Sequence, residues 1–221
     1  PPPAADPAAA APPRPHQLPP PRTLRFQVQR GEQQGEGVWR WAPQGDRYEA
    51  SLTATLDGRP LIDQRSQGGF DAQGLAPVRE VERQGRASAR AVNFQRDKGL
   101  VSFSGSAREV ALPEGAQGRL SWLPQLLAVL AGTEGWAVGS ELTVPVAGSD
   151  GELDDWRWVL ADRQAPSGGA ALHWVREARR AYDHRIDLWL EVNSPHWPLE
   201  WQWQRMPGGN AVRWTRLPEP P

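Results

Sequence analysis

The chain has 221 residues, of which 23 are Pro and 22 are Gly, and this content of helix-breaking residues argues against long uninterrupted helices. Its 25 basic and 26 acidic side chains give a formal charge of -1, so the sequence has no general electrostatic attraction to nucleic acid. It contains no Cys, which excludes disulfides, thiolate metal sites and cysteine nucleophiles, and no apolar run approaches the roughly 18 residues of a membrane-spanning helix.

Residues 1–22 are predicted to form a disordered, Pro- and Ala-rich tether. Ten of the first 21 residues are Pro and six are Ala, without any apolar periodicity that would offset the entropy of packing. We expect a signal peptide or an inner-membrane anchor upstream, with this segment as its spacer. A disordered end without a role is the alternative. Residues 218–221 are predicted to form a disordered tail.

Residues 23–217 are predicted to form a single antiparallel β domain. Between Asp46 and Asp57, every second residue from Tyr48 to Leu56 is apolar and the residues between them are polar. This period of two indicates a strand with one wet face, which is typical of antiparallel sheets. The pattern recurs at Leu24 to Val28, Val92 to Phe94, Ile186 to Val192 and Leu199 to Trp203.

Turn residues lie between these strands. Asp57-Gly58 supplies the positive φ values of a two-residue hairpin, and we expect similar turns at residues 97–99 and 207–210. The runs and turns together predict ten to twelve strands. This spacing is typical of sandwiches and barrels, and we predict a curved antiparallel meander that forms a barrel or half-barrel.

One helix is predicted, over residues 121–131. Ser121 is a candidate N-cap, Pro124 suits the first turn, and Gly132 ends the apolar run. The segment is almost wholly apolar. A helix of this character must be buried, and we expect it to lie across an open end or face of the sheet.

Twelve Trp residues make the composition unusual, and three Trp-x-Trp motifs place both rings of each motif on one strand face. One interpretation, which we favour, is that Trp is the bulky core residue of this protein. The other is that the rings line a cavity suited to an acyl chain or a sugar face. The motifs are Trp39 with Trp41, Trp156 with Trp158, and Trp201 with Trp203.

Glu80 and Glu82 lie two residues apart on a predicted strand, so their carboxylates share a face about 6 to 7 Å apart, which is compatible with glycosidase geometry. We favour the interpretation that they form a solvated strand face between Arg79 and Arg83.

No metal site or cofactor is predicted. The one candidate metal set has intervals that match no recognised ligand spacing. The single Lys, Lys98, follows no phosphate-binding glycine pattern, and the motifs of common hydrolases, proteases and dinucleotide-binding enzymes do not occur. The candidate metal set comprises His173, His184 and His196, with Asp183 and Asp187 nearby.

A set of short motifs extends over nearly the whole predicted domain: Ser66, Gly69, Gly74-Leu75 with Pro77, an Arg-bearing strand around Arg83, Phe94 before a hairpin into Val101 and Phe103, the helix over 121–131, the strand over 185–191, and Pro198-Leu199. In these motifs the chain resembles the bacterial exported-protein family called domain of unknown function 3108. The resemblance implies export to the periplasm and an antiparallel β architecture. The family has no established activity or functional residues to carry over.

The leading functional prediction is non-catalytic: a periplasmic protein that binds or carries an amphipathic lipid or glycan in a Trp-lined concavity. The alternatives are an envelope carbohydrate hydrolase that uses Glu80 and Glu82, and a scaffold that recruits proteins through exposed Trp. The predicted ligand-binding residues are the six Trp of the three motifs together with Arg83. No nucleic-acid partner is expected, and contact with a membrane is expected only through the upstream anchor.

Overall fold

The computed structural model describes residues 12–219 of the chain, which form fifteen β-strands and one α-helix. The helix, α1, spans Trp122–Gly132. The strands are β1 (Arg22–Arg30), β2 (Gln33–Gln44), β3 (Arg47–Leu56), β4 (Arg59–Asp71), β5 (Gly74–Gln84), β6 (Arg90–Gln95), β7 (Leu100–Phe103), β8 (Ser106–Ala111), β9 (Gln117–Gly118), β10 (Glu141–Ala147), β11 (Leu153–Gln164), β12 (Ala170–Arg176), β13 (His184–Leu190), β14 (Pro198–Arg205) and β15 (Val212–Arg216).

All fifteen strands belong to one curved sheet. From one edge the order runs from β8 back to β1, continues to β15, and then descends to β9 at the other edge. Every pair is antiparallel except β9 with β10. The predicted class, a curved antiparallel meander with one short buried helix, is confirmed, and the sheet is unclosed. The predicted strand count was too low because a strand such as β9, which has two residues, is too short to show a period.

Alternation along each strand separates an inner face from an outer face. In β3, the inner positions from Tyr48 to Leu56 are buried, while most of the intervening positions are exposed. The turn to β4 uses Asp57 and Gly58 with φ values of 48° and 71°, as the hairpin prediction requires. The inner faces surround one large core, so burial on one side sets the register of each strand.

The helix α1 lies inside the curved sheet. Residues 122–130 are all buried, which explains why the segment has no polar face. Ser121 occupies the N-cap position of α1, as predicted, but its hydroxyl makes no capping bond to the helix and instead accepts a hydrogen bond from the Gly118 N–H at 2.8 Å. Among the described residues, no helix has the length and hydropathy needed to cross a bilayer.

The two ends of the curved sheet meet through side chains rather than a strand ladder, along a line that we call the seam. At the seam, Gln117 on β9 donates from Nε2 to the Leu75 carbonyl on β5 at 2.7 Å. The Leu75 N–H in turn donates to Oε1 of Gln125 on α1 at 2.7 Å. Because the seam lies at β5, strands β6 to β8 continue beyond it and build a second small core with Ala116 and Ala147.

Residues 12–21 have no regular secondary structure, yet they are attached to the domain. The Gln17 N–H donates to the Ala128 carbonyl of α1 at 2.8 Å, and the indole N–H of Trp41 donates to the Pro19 carbonyl at 2.9 Å. Leu18 packs against the core. This part of the predicted disordered tether is therefore ordered against α1 and β2. Residues 1–11 of the tether and 220–221 of the tail lie outside the described residues.

Candidate functional site

The inner face of β11 to β15 carries six Trp residues, and we call this surface the tryptophan wall. Cross-strand pairing places Trp214 beside Trp201, Trp201 beside Leu188, and Leu188 beside Trp174. The Trp201 and Trp214 rings stack with centroids 5.1 Å apart. Four of these six side chains are buried, as the core interpretation predicts, and the other two, Trp156 and Trp203, are partly buried. The wall comprises Trp156, Trp158, Trp174, Trp201, Trp203 and Trp214.

The predicted site tryptophans do not all meet in one place. Trp39 and Trp41 lie on β2 and are buried. The ring centroids of Trp41 and Tyr48 are 5.3 Å apart, at the end of the barrel where Trp41 contacts Pro19. Trp158 stacks on Trp122 of α1 with centroids 4.7 Å apart. These three rings therefore serve the core.

A cavity of about 270 Å³ opens at the other end of the barrel, and we call it the mouth cavity. It lies where β1, β5, β12 and β14 end and where β4, β11, β13 and β15 begin. Of the seven predicted ligand-binding residues, two line it, Trp156 and Trp203. Its lining includes Ile62, Gln64, Glu82, Ile186, Trp203 and Trp214.

Arg176 is the buried cation of the mouth cavity, with an exposed fraction of 2%. Its guanidinium lies 4.3 Å from the Trp156 ring centroid and donates to Asp183 Oδ2 at 2.9 Å. Burial alone would raise the pKa of Asp183, but hydrogen bonds from the Arg179 N–H and from Arg176 outweigh it and hold that pKa below its ordinary value. Burial, with the nearby arginines, lowers the pKa of His184. The charge on Arg176 is thus balanced within the protein.

Four polar side chains on the inner face of β4 and β5 form a second surface, the polar wall. Within it Gln64 and Glu82 are cross-strand partners, and Gln64 Nε2 donates to Glu82 Oε2 at 2.8 Å. Glu82 Oε1 also accepts from the Ser149 hydroxyl at 3.0 Å and from Gln84 Nε2 at 3.1 Å. The polar wall comprises Gln64, Ser66, Glu80 and Glu82.

Glu80 joins the polar wall to the start of α1. Its two carboxylate oxygens accept the N–H groups of Leu120 at 2.7 Å and Ser121 at 3.1 Å. A Cβ at Gly118 would lie 2.3 Å from Glu80 Cδ, so the glycine makes room for the carboxyl group. Burial raises the pKa of Glu80 to about 7, and the two backbone hydrogen bonds partly oppose this rise.

The expectation that Glu80 and Glu82 face solvent is wrong, because their exposed fractions are 3% and 7%. Their side chains point toward the core, where the curvature of the sheet brings α1 and the 148–150 turn over them. Glu82 lines the mouth cavity, whereas Glu80 is bound by backbone at the seam.

Arg83 lies on the opposite side of β5 from the predicted concavity. Because Glu82 points inward, the period of two turns Arg83 outward, where it is exposed beside Asp63 of β4. The structure therefore separates Arg83 from the six tryptophans with which it was grouped.

Trp189 is buried on the outer face, where its ring stacks on His173 with centroids 4.4 Å apart. His173 Nδ1 lies 2.8 Å from Asp162 Oδ2, and Nε2 lies 3.0 Å from Asp187 Oδ1. Burial lowers the pKa of His173, but the two carboxylates outweigh it and raise that pKa. Within residues 12–219, no group of three or more His, Asp or Glu side chains is arranged to hold a metal ion.

Sequence reasoning missed Arg176 and Gln64 as cavity residues. Arg176 is the first of several arginines that lie close together in the sequence, a pattern that does not predict burial, and its burial follows from its ion pair with Asp183 seven residues later. Gln64 occupies an inward position of β4 between Ile62 and Ser66, and the period alone is the signal that could have found it.

No protein-family model matches the chain, and no curated protein matches it. Its structure is similar to the crystal structure of a beta-barrel-like protein of domain of unknown function DUF1849 from Brucella abortus, with a TM-score of 0.57 and 13% sequence identity. The match covers 91% of this chain and 98% of that chain. At this identity the likeness shows the fold alone, a beta-barrel-like domain with buried aromatic clusters. The resemblance to domain of unknown function 3108 stays a prediction.

Proposed function

We propose that this protein is a non-catalytic binder of a small amphipathic ligand, a lipid or a glycan, and that the mouth cavity is its binding site. The observation that carries the proposal is the composition of the cavity. Indole rings and aliphatic side chains meet polar side chains, and charged side chains most of which form salt bridges, at the open end of a barrel with one large hydrophobic core. Apolar surface combined with placed polar groups is typical of ligand sites in the mouths of barrels.

The structure gives the hydrolase alternative little support. A glycosidase needs two carboxyl groups that face the same substrate, one as acid and one as base or nucleophile. Of the predicted pair only Glu82 lines the mouth cavity, because Glu80 holds the N–H groups of Leu120 and Ser121. The other carboxylates of the lining form salt bridges, Asp183 with Arg176 and both Glu152 and Asp154 with Arg180. The scaffold alternative needs exposed Trp, but all twelve lie within the described residues and each is buried or partly buried.

The location that we propose is the bacterial periplasm, with attachment to the inner membrane. The support is the resemblance to an exported-protein family and the Pro-rich composition of residues 1–22. Fractionation of the natural host tests the location. Recovery of the full-length protein in the cytoplasmic fraction would contradict it.

The binding proposal is tested with three amphiphiles that share an eight-carbon chain and differ in head group: octyl β-D-glucoside, octanoate and octyltrimethylammonium, each below its micelle concentration. We expect at least one of them to raise the melting temperature. At a concentration one hundred times Kd, binding adds about 2.7 kcal/mol, which corresponds to about 5 to 10 °C for a domain of this size.

A matched pair of variants assigns the site. Val212→Trp places an indole into the mouth cavity and is expected to abolish the shift, whereas Val78→Trp, at a position 53% exposed, is expected to leave it unchanged. Failure of all three amphiphiles to bind the unaltered protein, or an equal shift in both variants, would overturn the proposal.

A further inference from the structure

The mouth cavity holds a buried hydrogen-bond acceptor that the protein does not use. Gln64 has an exposed fraction of 1%, and its Oε1 has no hydrogen-bond partner among residues 12–219. Its amide orientation is set by Glu82, because a carboxylate accepts and the Nε2 group must face it at 2.8 Å. A buried acceptor without a donor is costly, so this oxygen favours a ligand that supplies an O–H or N–H group.

The tryptophan wall, in contrast, holds buried hydrogen-bond donors that have no acceptor within residues 12–219. The buried indole N–H groups of Trp203 and Trp214 have no acceptor among the described residues, and both side chains line the mouth cavity. Gly37 on β2 allows Trp214 to lie against that strand, since a Cβ there would be 2.2 Å from Trp214 Cζ3. The residues that carry these unused donors and the unused acceptor therefore line the same space.

The charges around the cavity are matched largely within the protein. Arg176 pairs with Asp183, Arg119 pairs with Asp150, and Arg180 binds both Glu152 and Asp154. Glu82 has three neutral donors and takes part in no salt bridge within residues 12–219, so it disfavours an anionic head group. Arg30 lines the cavity as well, takes part in no salt bridge among the described residues, and disfavours a cationic one.

We infer that the mouth cavity binds a neutral, hydroxyl-bearing ring such as a sugar, an inference that rests on the proposed binding function. A hydroxyl both donates and accepts, so one ring supplies donors to Gln64 Oε1 and acceptors to the indole N–H groups. Its C–H surfaces contact Ile62, Ile186 and Val212, which line the same space. A volume of about 270 Å³ lies just below the 300 to 1,000 Å³ typical of drug-sized ligands, so it suits one ring and leaves an attached chain outside.

The test is isothermal titration of the whole chain with octyl β-D-glucoside, octanoate and octyltrimethylammonium. We expect the glucoside to bind at least about fivefold more tightly than the other two. Gln64→Met removes the acceptor at similar size and is expected to weaken glucoside binding about fivefold, the loss associated with one neutral hydrogen bond, while changing octanoate binding little. Gln67→Met, an exposed outer-face position on the same strand, is the matched control.

A measurement on the unaltered protein keeps the inference testable if Gln64→Met does not fold. Saturation-transfer NMR with octyl β-D-glucoside is expected to show stronger transfer from the protein to the sugar protons than to the alkyl protons. Stronger transfer to the alkyl protons, or tighter binding of octanoate or octyltrimethylammonium than of the glucoside, would overturn the hydroxylated-ring assignment and leave the binding proposal standing. Absence of binding by all three amphiphiles would overturn both.

Discussion

The tryptophan wall and the polar wall face each other across one interior, and they contribute to the structure differently. The tryptophan wall supplies large apolar area, but several of its buried indole N–H groups have no hydrogen-bond partner among residues 12–219, namely those of Trp158, Trp174, Trp201, Trp203 and Trp214. The polar wall supplies little apolar area, yet Glu80 alone holds two backbone N–H groups across the seam. Burial of aromatic rings therefore stabilises the barrel, whereas a few buried hydrogen bonds determine where the two ends of the sheet meet.

The largest effect is expected from truncation of the tryptophan wall. Trp174 is fully buried and contacts Trp136 edge-on with centroids 5.3 Å apart. Trp174→Ala should lower the free energy of unfolding by about 3 to 5 kcal/mol, because it removes apolar contact area and leaves a cavity. Chemical denaturation measures this change. In contrast, Ser66→Ala on the polar wall, which removes one hydrogen bond to Tyr48, should cost about 0.5 to 1.5 kcal/mol. Equal losses in the free energy of unfolding for the two variants would contradict the different roles of the two walls.

The next effect is a pH dependence from the polar wall. The pKa of Glu80 is about 7 in the folded protein and 4.5 in a model peptide, so between these values the folded state binds more protons than the unfolded state. Its contribution to stability is therefore fully present below pH 4.5 and decreases by about 3 kcal/mol as the pH rises through 7. Urea denaturation from pH 4 to 8 measures the slope. Glu80→Gln, which cannot ionise, should show a flatter slope than the unaltered protein, and identical slopes would contradict the assignment.

A smaller effect is expected where β2 approaches the tryptophan wall. Gly37→Ala adds a Cβ 3.0 Å from Val28 Cγ2 and closer still to the Trp214 ring, so the ring must shift. Overpacking of this kind should cost about 1 to 3 kcal/mol. Thermal unfolding followed by near-ultraviolet circular dichroism would report both the loss and the altered indole packing. Gly45→Ala is the control variant. A Cβ at Gly45 would contact nothing within 4 Å, so this variant shows the cost of a side chain at a positive φ, here 59°, without overpacking.

The smallest effect is expected outside both walls. Arg83 is exposed on the outer face, so Arg83→Ala should change the free energy of unfolding by no more than about 0.5 kcal/mol and should leave octyl β-D-glucoside binding unchanged. Denaturation and titration on the same protein sample measure both quantities. A loss of binding would show that the outer face of β5 contributes to the site after all.

The sequence was sufficient to predict the fold class, because one-sided alternation such as that of Tyr48 to Leu56 is a local signal. It also predicted that an almost wholly apolar helix would be buried. The exposure of Glu80 and Glu82 was mispredicted, because their burial depends on α1 and the 148–150 turn lying over β5. Such contacts join residues forty or more positions apart, and no periodicity encodes them.

The same long-range dependence limited the prediction of the site. Trp156 and Trp203 were singled out by their Trp-x-Trp spacing, yet that spacing is shared by Trp39 and Trp41, which lie in the core. The two pairs differ in the end of the barrel at which they lie, and the spacing does not encode that position. The role of Gln64 could not be predicted either, because the orientation of its amide is set by Glu82. That pairing depends on the register of β4 with β5.

The continuation of the sheet past the seam has a consequence for self-association. Strands β6 to β8 pack over Ala116 and Ala147, next to the β9 edge, and so shelter one of the two edges that an open sheet leaves unpaired. The other edge is β8, which is six residues long and carries Arg108 and Glu109 in exposed positions. Short, charged edges resist the addition of foreign strands. A rolled sheet with overlapping ends therefore gains much of the protection against polymerisation that a closed barrel has.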